Sequence, residues 1–251
     1  MNEIKHNTTS QTWHSIADEN NLWVKWRFEI LKKYMKLSGI NFTKNYKCLD
    51  VGCGNNSFAL NLEQISNYTI DQIDVDPLNL VNKKKGRGSL FEYNINTKRE
   101  DLKNKYDIIF LLDVLEHIKN DSEFLESCYF HLKKDGCLVI NVPSIPLLFS
   151  KYDDAVGHIR RYRKKELKNL LEKNKFTISI LKYWGFLLIP LLFLRKLLIN
   201  FSKKNDHEII KKGMDTQPKM VLFIINMLKY IELNFIKINV LGSSLISIVK
   251  K

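Results

Sequence analysis

The sequence predicts an α/β fold, a doubly wound and mostly parallel sheet with helices on both faces. Three observations carry this. A short apolar run ends in a glycine turn, LDVGCGNNSF (Leu49 to Phe58), and a helical pattern resumes at Phe58, Ala59, Leu60 and Leu62. Strand, glycine turn and helix open a nucleotide-binding βαβ unit. A second run, Thr69 to Val75, ends in Asp74-Val75-Asp76-Pro77, and Asp74 lies 24 positions after Asp50. An acid at about that distance from the turn binds ribose hydroxyls in such units. Third, strand-like and helix-like patterns go on alternating well beyond these two runs.

Taken in order, residues 1 to about 12 are polar. A helix is expected from Asn20 to Ser38, where Leu22, Trp26, Ile30, Tyr34 and Leu37 form one apolar stripe with Trp23 and Arg27 beside it. It packs on the core or covers a ligand cleft. The glycine turn follows, and glycine there lets a ligand approach the backbone directly. After Asp74 comes the basic loop KKKGRG, then a weak third strand, Ser89 to Ile95. Asp107 to Asp113 (DIIFLLD) is nearly all apolar, as a central strand buried on both faces requires. Asp121-Ser122 opens a helix that Asp135-Gly136 breaks, and Cys137 to Val142 is a fifth strand closed by Pro143. Tyr152 to Tyr162 reads as a polar and aromatic loop, Lys164 to Lys173 as a short basic helix, and Phe176 to Tyr183 as a sixth strand.

Composition bounds the chemistry. With 251 residues and 45% hydrophobic content, the chain suits one sizeable domain with an embellishment and is not disordered throughout. Cys48, Cys53, Cys128 and Cys137 form no CxxC pair and no zinc-spaced cluster, so they read as reduced thiols and no metal is expected. MNEIKHNTTSQTW has no apolar signal core, which points to a cytoplasmic protein. The net charge of +13 is concentrated toward the end: residues 181–251 carry 12 basic and 4 acidic side chains, a surplus of +8. Such a surface suits nucleic acid, an anionic membrane or a phosphorylated substrate. No nucleic-acid motif is present, so nucleic acid is not the expected partner.

These motifs resemble the class I S-adenosylmethionine-dependent methyltransferases. LDVGCGNN is similar to their glycine motif, QIDVDP to their second motif, FLLDVLEHI to their fourth-strand motif and DGCLVINVP to their fifth strand. GHIRRYRKKELKNLLEKNKF resembles the stretch before their sixth strand. The resemblance runs from about Trp13 to Phe186 and returns in GSSLISIVKK. It is strongest to a bacterial branch associated with cell-surface polysaccharide or lipid-linked sugars, and reaches more distantly to quinone O-methyltransferases. It implies a Rossmann-like sheet of seven strands and S-adenosylmethionine as cofactor. Gly52, Cys53 and Gly54 would lie under the methionine part, with Asp50 supporting its ammonium. Asp74, followed by Val75, would hold the ribose, and Asp113 would line the methyl-donor site. Asn94 stands where many relatives place an adenine-contacting Asp, and its amide oxygen can accept the same bond. Asn56 replaces a family glycine; asparagine tolerates the left-handed conformation well.

Methyl transfer from a sulfonium is an in-line displacement in which orientation supplies much of the rate. A hydroxyl acceptor benefits from a general base, and His117 and His158 are the candidates, placed where strand ends face the acceptor. His117 is alternatively a helix-start residue that packs or caps, and His158 a loop residue bonded to backbone. Arg160, Arg161 and Tyr162 follow His158; the arginine forks would bind phosphate or carboxylate, or form a solvated basic face.

About 55 residues separate the sixth strand from the expected seventh, Ser243 to Val249. This insertion opens with the apolar WGFLLIPLLFLRKLLINF, which Pro190 interrupts and Arg195-Lys196 end. It is too short to span a bilayer, which takes about 20 apolar residues. A second helix is expected from Pro218 to Ile236, with Asn226, Lys229 and Glu232 along a polar side. Lysine-flanked apolar helices suit in-plane membrane contact, a greasy lid over a lipid-bearing acceptor, a dimer interface or a cap on the core. The expected organisation is an N-terminal helical cap (1–40), a methyltransferase core (41–184), an apolar and basic helical insertion (185–240) and the final core strand (241–251). The expected activity is methyl transfer to a small-molecule or lipid-linked acceptor, such as a hydroxyl of a cell-surface sugar intermediate, at the inner face of the membrane. Quinone O-methylation, or a nucleic-acid-binding or non-catalytic protein that keeps the cofactor fold, are the alternatives.

Overall fold

The structure, a computed structural model, describes residues 22–81, 83–201, 208–209, 219–235 and 240–251. Trp13, Pro218, Ile236 and most of the charged SKKNDHEIIKKG stretch lie outside the described residues. Seven strands form one sheet: β1 Lys47–Val51, β2 Thr69–Asp74, β3 Leu90–Glu92, β4 Tyr106–Leu112, β5 Leu132–Pro143, β6 Thr177–Trp184 and β7 Ser244–Lys250. Their order is β3-β2-β1-β4-β5-β7-β6. β1 to β5 pair in parallel, and β7 is antiparallel to both neighbours. The order reverses between β1 and β4, and in open α/β sheets ligands bind at such a switch point.

The helices are α1 Leu22–Leu37, α2 Ser57–Gln64, α3 Asp121–His131, α4 Lys151–Val156, α5 Lys164–Lys173, α6 Ile189–Asn200 and α7 Lys219–Asn234. They cover both faces. α1 and α2 pack Trp26, Ile30, Leu31, Phe58 and Leu62 on one, with Ile225 and Leu228 of α7 against the same cluster. α3 and α5 pack Phe124, Leu125, Leu167 and Leu171 on the other. β4 explains why its sequence is apolar throughout: Ile109 and Leu111 face one cluster, Ile108 and Phe110 the other.

The expectations fail in four places. The segment read as a loop from Tyr152 carries α4, because Ser150 and Asp153 close a capping box at its start. Asp135-Gly136 does not precede β5 but lies inside it. There β5 pairs Leu132 with Tyr106 and then Cys137 with Ile108, and Asp135 takes φ 62° in the extra residues. Pro190 starts α6 rather than interrupting it, since a missing N–H is harmless in the first turn, and α6 runs on past Arg195-Lys196. In α7 the sides are partly exchanged: Glu232 is buried while Phe223, Met227 and Tyr230 are exposed. The buried Glu232 carboxylate accepts from the Gly185 and Leu187 amides, a docking that helical periodicity cannot show.

Candidate active site

The glycine turn sits at the carboxyl end of β1. The Gly52 and Cys53 amides both donate to Ile73 O of β2, at 2.8 and 3.1 Å. Gly52 has φ 68°, and a Cβ there would meet Val114 Cγ2 at 3.0 Å. No other residue type fits without strain. Asn56 adopts φ 57°, as its tolerance of that region predicts, and its side chain donates to Lys84 O at 2.8 Å.

Two acids lie beneath the turn. Asp74 Oδ2 accepts from the Gly54 amide at 3.2 Å and Oδ1 from the Asp76 amide at 3.0 Å. Asp50 is buried, and burial raises its carboxyl from the ordinary 3.8 to about 7, with Arg27 pulling it down and Asp74 pushing it up. Burial likewise pushes the Cys53 thiol up, so this thiol stays neutral. A glycine-lined backbone with two buried acids fits S-adenosylmethionine, whose ammonium Asp50 would hold and whose ribose hydroxyls Asp74 would hold. Val75 is exposed beyond Asp74. Asn94 is exposed and its Oδ1 accepts from the Asn96 amide at 3.0 Å, capping a short 3-10 turn.

Asp113 stands at the tip of β4 with φ 58°. It pairs with buried Arg27 of α1 and accepts from Asn141 Nδ2 at 2.6 Å. Asn141 Oδ1 in turn accepts from Trp184 Nε1 at 2.9 Å, and Trp184 stacks on Trp23 at 4.7 Å. Thus α1 does more than pack: Arg27 ties it to Asp113 at the tip of β4. Sequence reasoning missed Arg27, Asn141, Trp184 and Glu116 as site residues. Arg27 stands beside the apolar stripe, as Lys25 does, and the sequence does not tell the two cations apart.

His117 and His158 meet, with ring centroids 4.8 Å apart. His117 Nδ1 bonds Gly157 O at 3.0 Å, and His158 Nδ1 bonds Asp153 Oδ1 at 2.9 Å. Since carbonyl and carboxylate oxygens only accept, both imidazoles donate from Nδ1. Glu116 lies beside them, with Oε1 3.6 Å from His158 Nε2. Its side chain is fully buried, and burial, with nearby Asp113, raises its carboxyl well above the usual range.

The residues after His158 are placed otherwise than expected. Arg161 is buried, its fork on Asp153 at 2.8 and 3.1 Å. Burial would raise Asp153, but the His158 hydrogen bond and the Arg161 charge hold it below the ordinary carboxylate value. Arg160 binds Asp121 at 2.6 Å, and the Tyr162 hydroxyl donates toward Leu115 O and Asp121. Arg161 and Tyr162 turn inward, and Arg160 pairs with Asp121. They brace the loop that carries His158 through Asp121 and Asp153.

A family profile described as a methyltransferase domain matches residues 23–179. A ubiquinone biosynthesis O-methyltransferase of Rickettsia canadensis is 30% identical over 108 residues, covering 41% of this chain and 45% of that protein. The mitochondrial ubiquinone biosynthesis O-methyltransferase of Schizosaccharomyces pombe is 23% identical over 163 residues, covering 59% and 57%. The chain thus matches about half the length of these relatives. Among solved structures, a SAM dependent methyltransferase from Archaeoglobus fulgidus superposes with a TM-score of 0.56 at 19% identity, over 90% of this chain and 96% of that one. Haemonchus contortus phosphoethanolamine N-methyltransferase 2, in complex with S-adenosyl-L-methionine, gives 0.58 at 16% identity, over 96% and 56%. At such identities the likeness establishes the fold. With the profile covering most of the sheet and the glycine turn, the chain belongs to the methyltransferase-domain family of S-adenosylmethionine-dependent, class I type.

Proposed function

We propose that this chain is an O-methyltransferase that methylates a hydroxyl on a small, lipid-bearing acceptor. The observation that carries the reading is the Glu116, His117 and His158 cluster at the carboxyl ends of the strands, beyond Asp113 from the glycine turn. S-adenosylmethionine, when bound, supplies an electrophilic methyl on a sulfonium. Asp50 and Asp74 hold its charged and hydroxyl ends, and Arg27 keeps Asp113 oriented beside the methyl-donor site. The imidazole cluster is where the acceptor hydroxyl gives up its proton. The relatives' names point to an aromatic hydroxyl of a quinone precursor as one member of this acceptor class. A hydroxyl of a lipid-linked sugar is the other.

Two features support a lipid-bearing acceptor. A groove of about 660 Å³ beside β6 and α5 is lined by Leu147, Lys164, Lys168, Tyr183 and Leu241, apolar and cationic at once. α6, the Phe201 that follows it and α7 expose Leu194, Phe201, Met220 and Phe223, and no helix among the described residues is long and apolar enough to cross a membrane. In this reading residues 41–184 and 241–251 are the catalytic core, α1 caps the cofactor cleft, and α6 and α7 rest on an anionic membrane surface from the cytoplasmic side.

The test is single-turnover methylation of lipid extracts with labelled cofactor, alongside calorimetric cofactor titration. His117→Ala and His158→Ala should lower turnover about a hundredfold or more while changing cofactor affinity little. Unchanged turnover in both variants would sink the assignment.

A further inference from the structure

The arginines of this chain are almost all spoken for. Arg27, Arg99, Arg160, Arg161 and Arg163 each bind a carboxylate, and Arg87 binds three backbone carbonyls. Arg195, in the middle of α6, is the exception. Among the described residues no carboxylate or carbonyl bonds it, although the residue is half-buried. Its guanidinium carbon lies 4.2 Å from the centroid of the Tyr152 ring in α4. A guanidinium over an aromatic face gains cation–π attraction, but its five N–H donors point outward in its own plane and the ring satisfies none of them.

The surroundings offer Arg195 no anion of its own. Asp153, the next residue after Tyr152, is already engaged: its oxygens accept from Arg161, from His158 Nδ1 and from the Ser150 amide. Burial, with the Arg161 charge, holds the Arg195 guanidinium below its ordinary pKa despite Tyr152 and Asp153. An incoming anion would relieve both effects. The cation is also held in place. Lys196 Nζ donates to Leu147 O, Asn200 Oδ1 accepts from the Lys151 amide at 3.3 Å, and Ile199 packs with Tyr152 against Ala155 and Val156. Residues 195 and 199 share one helix face, so this docking presents Arg195 to α4. Through Asp153, α4 also orients His158.

We propose that Arg195, seated on Tyr152, binds an oxyanion of the acceptor, a phosphate or a carboxylate, and so selects acidic acceptors and orients them toward His158. The planar fork matches two oxygens of either group. Because α6 lies between β6 and β7, this assigns part of that segment a role in choosing the acceptor. The acceptor role rests on the O-methylation reading; the anion site does not.

The full chain, saturated with S-adenosylmethionine at low ionic strength, is titrated by calorimetry with diphosphate and with benzoate. One anion per chain should bind. Diphosphate alone would mark a phosphate-bearing acceptor, benzoate alone a carboxylate-bearing one, and either supports the site. Arg195→Gln should weaken binding about tenfold or more, and Arg195→Lys by less, since lysine keeps the charge but not the fork. Arg99→Gln removes the same charge from an exposed pair with Asp101 and should change binding less than about twofold. Cofactor titration checks that each variant is folded. Absence of saturable binding to the wild-type chain, unchanged binding in Arg195→Gln, or an equal loss in Arg99→Gln overturns the site. In lipid extracts with labelled cofactor, the methylated product should be retained by an anion exchanger and form more slowly with Arg195→Gln. A neutral product overturns the acceptor role. Failure to methylate any acceptor, with anion binding intact, would count against the O-methylation reading alone.

Discussion

Replacing Asp50 with asparagine probes the cofactor turn through its electrostatics. Asp50 is the fourth residue of β1, only 3% exposed, and its carboxyl is raised from 3.8 to about 7. The difference, 7 − 3.8 = 3.2, at 1.36 kcal/mol per unit corresponds to about 4 kcal/mol. Its sign follows from proton uptake. Between pH 4 and 7 the folded chain holds a proton on Asp50 that the unfolded chain has released, so this contribution is complete below about pH 4 and is lost as pH rises through 7. Asp50→Asn never ionises. Its stability relative to wild type should therefore climb across that window, reaching a gain of up to about 4 kcal/mol at pH 8. That gain corresponds to roughly 10 °C in midpoint temperature for a chain of this size. Burial keeps Asp50 protonated in the folded chain despite Arg27, and the cofactor's ammonium would favour its ionised form. Wild type should accordingly bind S-adenosylmethionine more tightly as pH rises through 7 and release close to one proton on binding at pH 6. Asp50→Asn should bind weakly at every pH. Urea denaturation at pH 5, 6, 7 and 8, with calorimetry in two buffers of different ionisation enthalpy, measures both. Parallel stability–pH curves for wild type and variant would refute the reasoning, since Asp50 would then not titrate in that range.

Four further outcomes are expected. Gly52→Ala forces a Cβ into the left-handed region and against Val114, costing about 1–2 kcal/mol and most of the cofactor affinity; calorimetric titration and thermal melting report both. Arg27→Ala leaves Asp113 without its cation and should destabilise the chain by roughly 3 kcal/mol in denaturant, with weakened cofactor binding. Glu232→Ala strips the Gly185 and Leu187 amides of their acceptor, so hydrogen exchange in α7 should accelerate at least tenfold while β1 and β4 stay protected. Phe201→Ser with Phe223→Ser should abolish flotation on anionic vesicles and leave the midpoint temperature within about 2 °C, because both rings are exposed; equal flotation of wild type and double variant would refute the membrane contact.

The sheet and the cofactor turn were legible in the chain because both rest on local rules. Alternation of apolar periods, a glycine turn and an acid at fixed spacing are short-range patterns, and the parallel sheet with Asp50, Gly52 and Asp74 follows from them. The loop at Tyr152 was misread because a capping box weighs little against a run of polar residues. In α7, helical periodicity shows two faces but not which one docks.

By itself, then, the sequence determined the fold class and, through the family resemblance, the cofactor class. Tertiary structure alone decided how the charges pair. Arg27 meets Asp113 across 86 positions, and Arg161 turns inward to Asp153. Glu116, which looks in sequence like any acid in a turn, is sealed beside His158 with no hydrogen-bond partner for either oxygen among the described residues. The reason is physical. The cost of a charge depends on its solvent exposure and on the charges within a few ångströms, and both are set by segments far apart in the chain.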